Sequence, residues 1–589
     1  MKSHSLLCIL LWVLAITMCH AQTIPSNRIT NWKKAGLAYS LPEYGNVVNI
    51  MNHGAVADGV TPNNTAFNNA VTALNGQPGT IYIPAGNYLF TQSINITSDS
   101  IIIRGDGVTT RLLFDLNHTN ENMINIRGTI SSTVFDVPNA IQRNDTSLTA
   151  VSISGINTGD YIILTNNDSS LIFSSWAMRS AGQILRINGV NGNRLSFDNT
   201  IRRHYPAASN ATIQQINPVQ GVGIECLYME RKDSTAQQTN NIDFTYAANC
   251  WITGIESNMT NFSHIAVNYS THILIRGNYF HHAHAYGEGG QAYGTTVEYT
   301  SGDCLVENNI FEHLRHSMLV QAGANGNVFA YNYSTDPYWT QPPLPANSAG
   351  DIVCHGNYPY LNLFEGNIIQ NIVVDESHGI NGPYNTFYRN RAELFGIFTV
   401  AAASDSQNYA VNEITNATGY YLLTGLGFFE SGNNVKGTIM PAASPAPSEN
   451  SLYRTGTPGY WPGQSAYPSI GTPHPYNQGT HAAQQQYATN QKTDCRRNPI
   501  YVSVQEMYHL NNMVKATPNP FSDIVRINTS KIQNAQYRLF NLTGGLVLSG
   551  TIPGNHTSIN TTDIATGVYI LEITNDKGFC IHQKLLKAY

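Results

Sequence analysis

The side chains best suited to acid–base chemistry in this sequence are histidines that recur at a fixed spacing. His355 and His378 are each followed by glycine, and each lies 12 residues before an asparagine, in the pattern H-G-x5-N-x-F-x-x-N that ends at Asn367 and Asn390. Nearly half of the chain's 19 histidines fall between residues 264 and 378. Histidine titrates near neutral pH, so a convergent group of histidines suits proton transfer.

Other ionisable residues follow the same spacing. His282, His313 and Asp336 each lie four residues after an asparagine of the repeat. If the repeats stack, residues at equal positions form columns of touching side chains about 4.8 Å apart. The imidazoles of His355 and His378 are then expected to stack on each other. One repeat earlier the matching position falls near Gln321, within about one residue, and before that it falls near Glu298.

One reaction that fits these residues is β-elimination on a uronic acid. That reaction needs a group to neutralise the carboxylate, a base for the adjacent proton and an acid for the leaving oxygen. The predicted catalytic residues are His316, His355, His378 and Arg315. Arginine can hold a carboxylate through two hydrogen bonds, and aromatic rings pack on sugar C–H groups. The predicted substrate-binding residues are Gln321, His282, His313, Tyr388, Arg389, Arg391 and Trp339.

The alternative reaction is hydrolysis with inversion, which needs two carboxyl groups about 6.5–9.5 Å apart. Asp336 with Asp351, or Asp351 with Asp375, could supply them from neighbouring repeats. Metal binding is a lesser option: the His-His-x-His run at 281–284 and the nearby His-x-x-His at 313–316 could ligate zinc, although neither has the H-E-x-x-H spacing of helical zinc sites. The cofactor expectation is a calcium ion or none.

The elements that must hold these residues are short strands in a repeat between about 242 and 394. Strand-like runs at 272–280, 304–311, 327–334, 362–369 and 385–392 share a closing asparagine, and two of the intervals are 23 residues. This period, with stacked asparagines at the turns, predicts a parallel β-helix. The fold class is therefore all-β, a right-handed parallel β-helix over 28–440 with a small C-terminal β-sandwich.

Residues 46–107 carry a family resemblance. The run N-V-V-N-I-M-N-H-G-A-V-A-D-G-V-T-P-N-N-T, with A-F-N-N-A-V-T-A-L and G-T-I-Y-I-P-A-G-N-Y-L, resembles the entry segment of the pectate-lyase superfamily of rhamnogalacturonase/epimerase type. The resemblance implies the β-helix, with an amphipathic helix over Thr65 to Leu74 covering its open end. One departure is Pro62-Asn63-Asn64, where family members usually carry acidic residues.

The catalytic subtype is not given by this resemblance. The polygalacturonase signatures N-T-D, D-D and R-I-K, the R-x-P-x-x-R of pectate lyases and the D-P-H-D of alginate epimerases are all missing. Three functions therefore stand as expectations. They are a secreted polysaccharide lyase acting on a uronic-acid-containing glycan, an inverting glycoside hydrolase, and a non-catalytic glycan-binding surface β-helix.

Two further segments interrupt or follow the repeat. Residues around 130–215 read as alternating strands with Asn-Gly turns, which predicts a β-rich insertion. Residues 441–514 are rich in Pro, Gly and Ser, which is typical of a linker or wrapping segment.

The last part of the chain, 515–589, contains A-T-P-N-P-F, Y-R-L-F-N-L-T-G and G-V-Y-I-L-E-I. It resembles the C-terminal sorting domain of the type IX secretion system of Bacteroidetes. The alternative is a carbohydrate-binding β-sandwich.

The beginning of the chain and its composition indicate export. Residues 1–21 combine Lys2, an apolar run and a small-residue cleavage site, which predicts a signal peptide. Only 12% of residues are charged and the net charge is −6, so no nucleic-acid partner is expected, and no later segment is apolar enough for a membrane span. The expected partners are a polysaccharide and the secretion machinery, and the expected location is outside the cell or on its surface.

Six cysteines remain after the predicted cleavage site, scattered along the chain and without a C-x-x-C pair. This spacing argues against a zinc ribbon or a disulfide scaffold. Buried free thiols are the main expectation, and export permits one or two disulfides.

Overall fold

The structure, a computed structural model, is nearly all β and divides into a large unit and a small C-terminal unit. The described residues are 23–287, 289–341, 350–400, 404–461, 467–495, 515–529, 535–541, 545–554, 556–574 and 580–588. The predicted signal peptide, 1–21, lies outside them, as do residues 496–514 of the predicted linker.

The large unit is a right-handed parallel β-helix, which confirms the predicted fold class. Each coil contributes one strand to each of three parallel sheets, A, B and C. The strands of sheet A are Ile94–Ile96, Ile124–Arg127, Ile242–Thr245, Ser263–Asn268, Tyr293–Glu298, His316–Val320, Ile352–Cys354, the second halves of Ile368–Val374 and Arg391–Thr399, and Tyr420–Leu423.

Sheets B and C follow sheet A in each coil. The strands of sheet B are Gly79–Tyr82, the first halves of Ile101–Phe114 and Gly223–Arg231, Trp251–Thr253, Leu274–Arg276, Leu305–Glu307, Val328–Ala330, Leu363–Glu365, Thr386–Tyr388, Asn408–Ala410 and Phe429–Ser431.

The strands of sheet C are Asp58–Pro62, Gly86–Phe90, the second halves of Ile101–Phe114 and Gly223–Arg231, Glu256–Thr260, Tyr279–Ala283, Ile310–Glu312, Tyr333–Thr335, the first halves of Ile368–Val374 and Arg391–Thr399, Glu413–Ile414 and Asn433–Val435. Strand Thr438–Met440 returns antiparallel to the last of them.

The chain bends sharply between sheets B and C at the repeat asparagine. The residue before it is left-handed, with φ of 54° at both Asn308 and Tyr331. Asn332 Nδ2 donates to Asn367 Oδ1 in the next coil (2.9 Å) and to the Val306 carbonyl oxygen in the preceding coil (2.9 Å). The ladder contains Asn278, Asn309, Asn332, Asn367, Asn390, Asn412 and Asn433. The predicted ladder is confirmed, and it satisfies buried backbone groups at each bend.

The helix Asn64–Ala73 packs on the first coils, close to the predicted range. It buries Ala66, Phe67 and Ala70, and Phe67 meets Phe90 edge to face at 6.1 Å. Strand Val47–Asn49 and the 3-10 turn Ile50–His53 precede it. Aliphatic and aromatic side chains fill the interior of the coils, where Phe329, Phe364, Phe387 and Tyr409 stack at about 5 Å.

The outer face of sheet B is covered by the chain before and after the β-helix. Ile24 and Trp32 from the N-terminal segment, which contains the 3-10 turns Ser26–Arg28 and Trp32–Lys34, join Tyr453, Tyr460 and Trp461 in one buried cluster on this sheet. The segment after the β-helix contains the helix Ala482–Ala488. It continues to Cys495, which forms a disulfide bond with Cys226. Burial of these rings gives the covering segments their stability.

The predicted insertion forms a six-stranded antiparallel sheet with its own core. Its strands are Thr129–Val137, Ser147–Thr149, Tyr161–Thr165, Gln183–Asn191, Arg194–Phe197 and Ala211–Asn217. The 3-10 turns Ser175–Ala177 and Ala207–Ser209 lie between these strands, and a short parallel pair, Val219–Gln220 with Ala247–Ala248, follows them.

The small unit is a β-sandwich of two antiparallel sheets around a common core of apolar side chains that includes Phe521, Val525 and Leu539. One sheet contains Lys515–Thr517, Ile524–Asn528 and His556–Asn560. The other contains Ala535–Asn541, Leu546–Ile552, Gly567–Thr574 and Cys580–Lys587.

Candidate functional site

A column of polar side chains ends the strands of sheet A. The strand register sets Glu298, Gln321, His355 and Asp375 side by side in four successive coils. Gln321 Nε2 donates to Glu298 Oε2, and His355 Nδ1 lies 2.7 Å from Asp375 Oδ2. The predicted positions of Glu298, Gln321 and His355 are confirmed. The next member is Asp375, not His378, although the two imidazoles still meet edge to face at 4.9 Å.

The electrostatics of this column favour one form of His355. Burial opposes ionisation of Asp375, but the charge and the hydrogen bond of His355 outweigh it and lower the pKa of Asp375. An ionised carboxylate accepts the Nδ1 proton and fixes the tautomer, which leaves Nε2 of the imidazole as the proton acceptor. Burial raises the pKa of Glu298 to about 7, against the hydrogen bond from Gln321.

The opposite end of the same strands contributes an aromatic ring and a second imidazole. The ring of Tyr293 lies 4.8 Å from that of His316, and His316 lies 5.6 Å from His355. Burial, followed by the charge of Arg315, lowers the pKa of His316 well below its ordinary value, so this imidazole is neutral. Burial raises the pKa of the Tyr293 phenol to about 12, so the phenol keeps its proton.

Arg315 stands at the edge of this group. Its guanidinium lies 4.5 Å from the ring centre of Trp339 and 5.9 Å from that of Tyr293. One of its nitrogens, Nη1, donates to the Gly287 carbonyl oxygen at 2.7 Å. This contact uses one N–H donor of the guanidinium and leaves its other donors for another acceptor. We call Tyr293, Arg315, His316, His355, Asp375 and His378 the site cluster.

Several polar atoms around the site cluster are buried without a partner among the described residues. They include Arg315 Nε, Trp339 Nε1 and His316 Nε2. Gln321 Oε1 is in the same condition. A buried donor without an acceptor costs roughly 1–3 kcal/mol, so each such atom is explained by an ordered water, a bound group or local strain. Two of these atoms are N–H donors beside a cation, which is the environment that an anionic ligand requires.

His378 joins the site cluster to the insertion. Its Nδ1 lies 3.3 Å from Ser174 Oγ, and its ring meets that of Trp176 edge to face at 5.3 Å. Burial and the charge of His355 lower the pKa of His378. The insertion therefore supplies one wall of the site.

Two family models match the chain. One, described as rhamnogalacturonase A/epimerase, pectate lyase-like, matches residues 47–336. Residues 47–336 are a pectate lyase-like domain. This range contains Tyr293, Arg315, His316 and Gln321 of the site, and it ends before His355 and Asp375. No curated protein matches the chain.

The second family model, described as a secretion system C-terminal sorting domain, matches residues 515–588. This is the β-sandwich of the small unit. The protein is therefore secreted or held at the cell surface. No helix within the described ranges is long and apolar enough to cross a membrane.

Three solved structures are similar to this chain at low identity. Tailspike gp49 of Pseudomonas phage LKA1 aligns with a TM-score of 0.49 and 16% identity, over 62% of this chain and 64% of its own, just under two thirds. Tailspike gp61 of Pseudomonas phage phi297 aligns with a TM-score of 0.49 and 13% identity, over 92% and 96% of the two chains. PfbA, a surface adhesin of Streptococcus pneumoniae, aligns with a TM-score of 0.30 and 10% identity, over 66% and 86%.

The structure does not assemble the predicted pairs of aspartates. Asp351 is completely buried, where it accepts hydrogen bonds from the Gln370 amide (2.6 Å) and Ser317 Oγ (3.3 Å). Burial raises its pKa to about 6. Asp336 is an exposed residue whose Oδ2 lies 2.7 Å from His313 Nδ1. Because its side chain is enclosed, Asp351 does not provide the accessible carboxyl group that the predicted pairs with Asp336 or Asp375 require.

His282 and His313 stack at 5.1 Å, as their equal offsets suggested. His313 also stacks on Tyr338 at 4.5 Å and touches Tyr286 edge to face. These rings follow the strands of sheet C, so they form a surface stack of their own beside the site cluster.

Tyr388, Arg389 and Arg391 lie where the segment after the β-helix covers the coils. Arg389 donates to the carbonyl oxygens of Ile470 (3.0 Å) and Thr472 (3.1 Å). Arg391 is bonded to Glu413 at 2.7 Å, and the ring of Tyr388 is buried in the cluster on sheet B. Their predicted role in substrate binding is wrong, because Arg389 and Arg391 donate to carbonyl oxygens of the segment after the β-helix, at Ile470 and Gly479, and Tyr388 is buried beneath that segment.

No group of three or more His, Cys, Asp or Glu side chains in the described parts of the chain has the arrangement of a metal site. Asp375 is bonded to His355 and Glu298 to Gln321, so these carboxylates do not form the oxygen cage that calcium prefers. The residues present do not fit the expected calcium ion, and no step is assigned to it.

Tyr293, Ser174 and Trp176 were not predicted as site residues. Tyr293 could have been found from the register, because it occupies the position of His316 one coil earlier. Ser174 and Trp176 reach the site through a loop of the insertion, and no repeat relates that loop to the coils.

Proposed function

We propose that this protein is a secreted polysaccharide lyase that cleaves a uronic-acid-containing glycan by β-elimination in the site cluster. The match to the pectate lyase-like family supports a polysaccharide-active protein. The observation that carries the choice of reaction is the contact chain from Arg315 through Tyr293 and His316 to the His355–Asp375 pair.

The carboxylate of the substrate binds at the Arg315 end of the cluster. Arg315 Nε and Trp339 Nε1 are buried donors without a protein acceptor in the described residues, and the guanidinium supplies the positive charge. Neutralising the carboxylate makes the proton on the adjacent carbon more acidic, because the carbanion formed there is then stabilised.

His355 removes that proton. Asp375 holds its Nδ1–H, so the lone pair of Nε2 is available, and the imidazolium formed is stabilised by the same carboxylate. Tyr293 donates its phenolic proton to the leaving glycosidic oxygen, which balances the reaction: one C–H and one C–O bond break, and a C=C bond forms. The neutral imidazole of His316, between Tyr293 and His355, provides a further polar contact to the substrate.

Hydrolysis with inversion has weaker support. The two carboxyl groups of the polar column, Glu298 and Asp375, are three coils apart, roughly 14 Å at about 4.8 Å for each step. Inverting hydrolases need about 6.5–9.5 Å between their carboxyl groups. Asp351, the third candidate, is enclosed.

The test is to measure the ultraviolet absorbance of the unsaturated product on a panel of uronic-acid and neutral polysaccharides. His355→Ala is expected to lower the rate at least about 100-fold and Asp375→Asn by roughly 10- to 100-fold, because the base and its orientation are lost. The chain offers a matched comparison in the His313–Asp336 pair, which has the same 2.7 Å contact. His313→Ala and Asp336→Asn are expected to retain the wild-type rate.

Other outcomes would replace this proposal. New reducing ends without the absorbance change would establish hydrolysis. Glu298 and Asp375 would then be the first candidates for its catalytic carboxyl groups. Glycan binding without turnover on any substrate would establish a binding protein. Loss of activity in the His313 and Asp336 variants alone would move the site to the surface stack.

A further inference from the structure

A cavity of about 260 Å³ lies between sheet B and the two segments that cover it. Among the described residues that line this cavity there are three cations, Lys33, Arg276 and Arg454, and no carboxylate. The other lining side chains are apolar, aromatic or hydroxyl-bearing, and Leu274 and Leu305 are among them. The cavity shares no residue with the site cluster. It is a concentration of positive charge in a chain whose net charge is −6.

Three separate parts of the chain supply the cations. They are the strand Leu274–Arg276 of sheet B, the turn Trp32–Lys34 of the N-terminal segment and the segment after the β-helix. The turn is fixed on the coils, because Trp32 Nε1 donates to the Leu361 carbonyl oxygen at 2.7 Å. The backbone of Lys33 is therefore held beside the coils, although its side chain is exposed.

The positive charges of the cavity are not balanced. The guanidinium groups of Arg276 and Arg454 share the carboxylate of Glu307, which accepts from Arg276 Nε at 2.7 Å and from Arg454 Nη2 at 2.6 and 2.7 Å. Glu307 is fully buried and balances one of the three charges. Arg454 Nε is buried and has no acceptor in the described parts of the chain. An anion in the cavity would satisfy this donor and the remaining charge.

The arrangement of the cations suits a tetrahedral oxyanion. A guanidinium has five N–H donors, so Arg276 and Arg454 keep donors that Glu307 does not use. Arginine and lysine both form strong, charge-assisted hydrogen bonds to such oxygens. A tetrahedral anion has oxygens on several sides and can accept from three directions, whereas a carboxylate has two oxygens on one side. The apolar walls reduce the screening of these charges, and the volume leaves room for waters of about 30 Å³ each.

We infer that this cavity binds a small tetrahedral oxyanion, phosphate or sulfate, through Lys33, Arg276 and Arg454. The bound anion joins the N-terminal segment and the segment after the β-helix to sheet B. A ligand that binds the folded chain and not the unfolded chain stabilises the folded form. The anion therefore stabilises the arrangement in which both segments cover the sheet. This binding site is independent of the proposed lyase reaction.

Calorimetric titration of inorganic phosphate and of sulfate into the full-length protein, in chloride buffer at constant ionic strength, tests the inference. One anion is expected to bind to each chain. Lys33→Gln should weaken binding about ten-fold, because a charge-assisted hydrogen bond is lost. Lys33→Arg keeps the charge and should retain most of the affinity. Lys34→Gln is the matched control, since Lys34 belongs to the same turn but lines a different cavity.

The two anions are distinguished by pH. Raising the pH through the second pKa of phosphate should increase the affinity for phosphate and leave the affinity for sulfate unchanged. The anion that binds more tightly at neutral pH is the better ligand. Heat unfolding provides a second measurement: at constant ionic strength, the unfolding temperature of wild type and of Lys34→Gln should rise with the concentration of that anion, and that of Lys33→Gln should rise less.

Three results would overturn the inference. The first is the absence of binding by either anion. The second is an equal loss of affinity in Lys33→Gln and Lys34→Gln, because a general attraction of anions to the positive surface would then explain the binding. The third is binding of acetate as tightly as phosphate and sulfate, because the cavity would then not select a tetrahedral anion.

Discussion

At the scale of single residues, the environment of a buried carboxylate decides its charge. Glu307 and Glu365 are two coils apart in the same column of sheet B, and both are fully buried. Burial raises the pKa of Glu365 to about 7. For Glu307 the charges of Arg276 and Arg454 outweigh burial and lower the pKa to about 2. Arg276 of sheet B and Arg454 of the covering segment together keep Glu307 ionised at neutral pH.

The acid stability of the protein is expected to depend on Glu307. Its folded pKa of about 2 lies below the ordinary value of 4.5, so its contribution is complete above pH 4.5 and is lost as the pH falls towards 2. A shift of this size corresponds to about 3 kcal/mol of the free energy of unfolding. Denaturant titrations at several pH values should show a smaller acid-dependent loss in Glu307→Gln than in wild type. Glu121→Gln, at an exposed site, is the control, and an identical acid slope in Glu307→Gln would contradict the assignment.

The candidate site was partly predictable at this scale. Counting back from the repeat asparagines gave the positions of Glu298, Gln321 and His355 to within one residue, because these residues lie 11, 11 and 12 positions before Asn309, Asn332 and Asn367. The same counting placed His378 in the column, where the structure has Asp375. Asp375 precedes its closing Asn390 by 15 residues, whereas His355 precedes Asn367 by 12. The additional residues of this coil form the turn at 376–381, and no local sequence pattern predicted that turn.

At the scale of elements, stacked amides determine the shape of each coil. Every repeat asparagine of the ladder is buried and follows a left-handed or glycine position, so the side chain replaces backbone hydrogen bonds that the bend interrupts. A second ladder at the bend between sheets A and B contains Asn327, Asn362, Asn385 and Gln407. The site column stands just before this second bend, so the ladder fixes the ends of the strands that carry it.

Removal of one ladder amide is expected to be costly. Asn332→Ala deletes the bonds to Asn367, Val306 and Asn309 and leaves buried groups unsatisfied, which should lower the free energy of unfolding by about 2 kcal/mol or more. Asn69→Ala, on the exposed face of the first helix, should change it by less than about 0.5 kcal/mol. Thermal and denaturant unfolding measure both. Equal stability of the two variants would show that the ladder is dispensable.

The repeat predicted where strands occur, but not that each run is divided into two strands by a bend. The run 304–311, for example, is two strands, Leu305–Glu307 and Ile310–Glu312, separated by the bend. β-branched or aromatic residues stand on both sides of the bend and only two asparagines separate them, so the run resembles one strand. The helix Ala482–Ala488 was not predicted, because it lies in a segment whose Pro, Gly and Ser content is typical of irregular structure.

At the scale of the whole molecule, the β-helix carries three additions: the insertion, the covering segments on sheet B and the sorting domain. The matched family range ends at 336, so the coils with His355 and Asp375 are not reached by it. The fold and export could be predicted because repeats and terminal motifs are properties of long segments. The reaction could not, since it depends on a few side chains that loops bring together.

The disulfide between Cys226 and Cys495 is expected to stabilise the covered form of the molecule. It closes a loop of 269 residues, and cross-linking such a loop contributes up to about 5 kcal/mol by restricting the unfolded chain. Buried free thiols at Cys250, Cys304 and Cys354 agree with the main expectation for these three cysteines. The bond itself could not be predicted from the spacing.

The double variant Cys226→Ser/Cys495→Ser should unfold at a lower temperature and release fragments of residues 441–495 faster under limited proteolysis. Wild type treated with a reductant should behave in the same way, whereas the reductant should have no effect on the double variant. Unchanged unfolding of the wild type after mass spectrometry has shown the bond to be reduced would contradict this expectation.

The position of that bond also decides how the protein bears a mechanical load. A protein fixed to the cell through its tail and drawn along by a polysaccharide feels tension at the tail end of the covering segment. Without a cross-link, the covering segment after the β-helix could detach from sheet B one contact at a time, starting at its tail end. Because Cys495 is joined to Cys226 in the body of the β-helix, the pull reaches the coils through a covalent bond, and peeling has no free end from which to start.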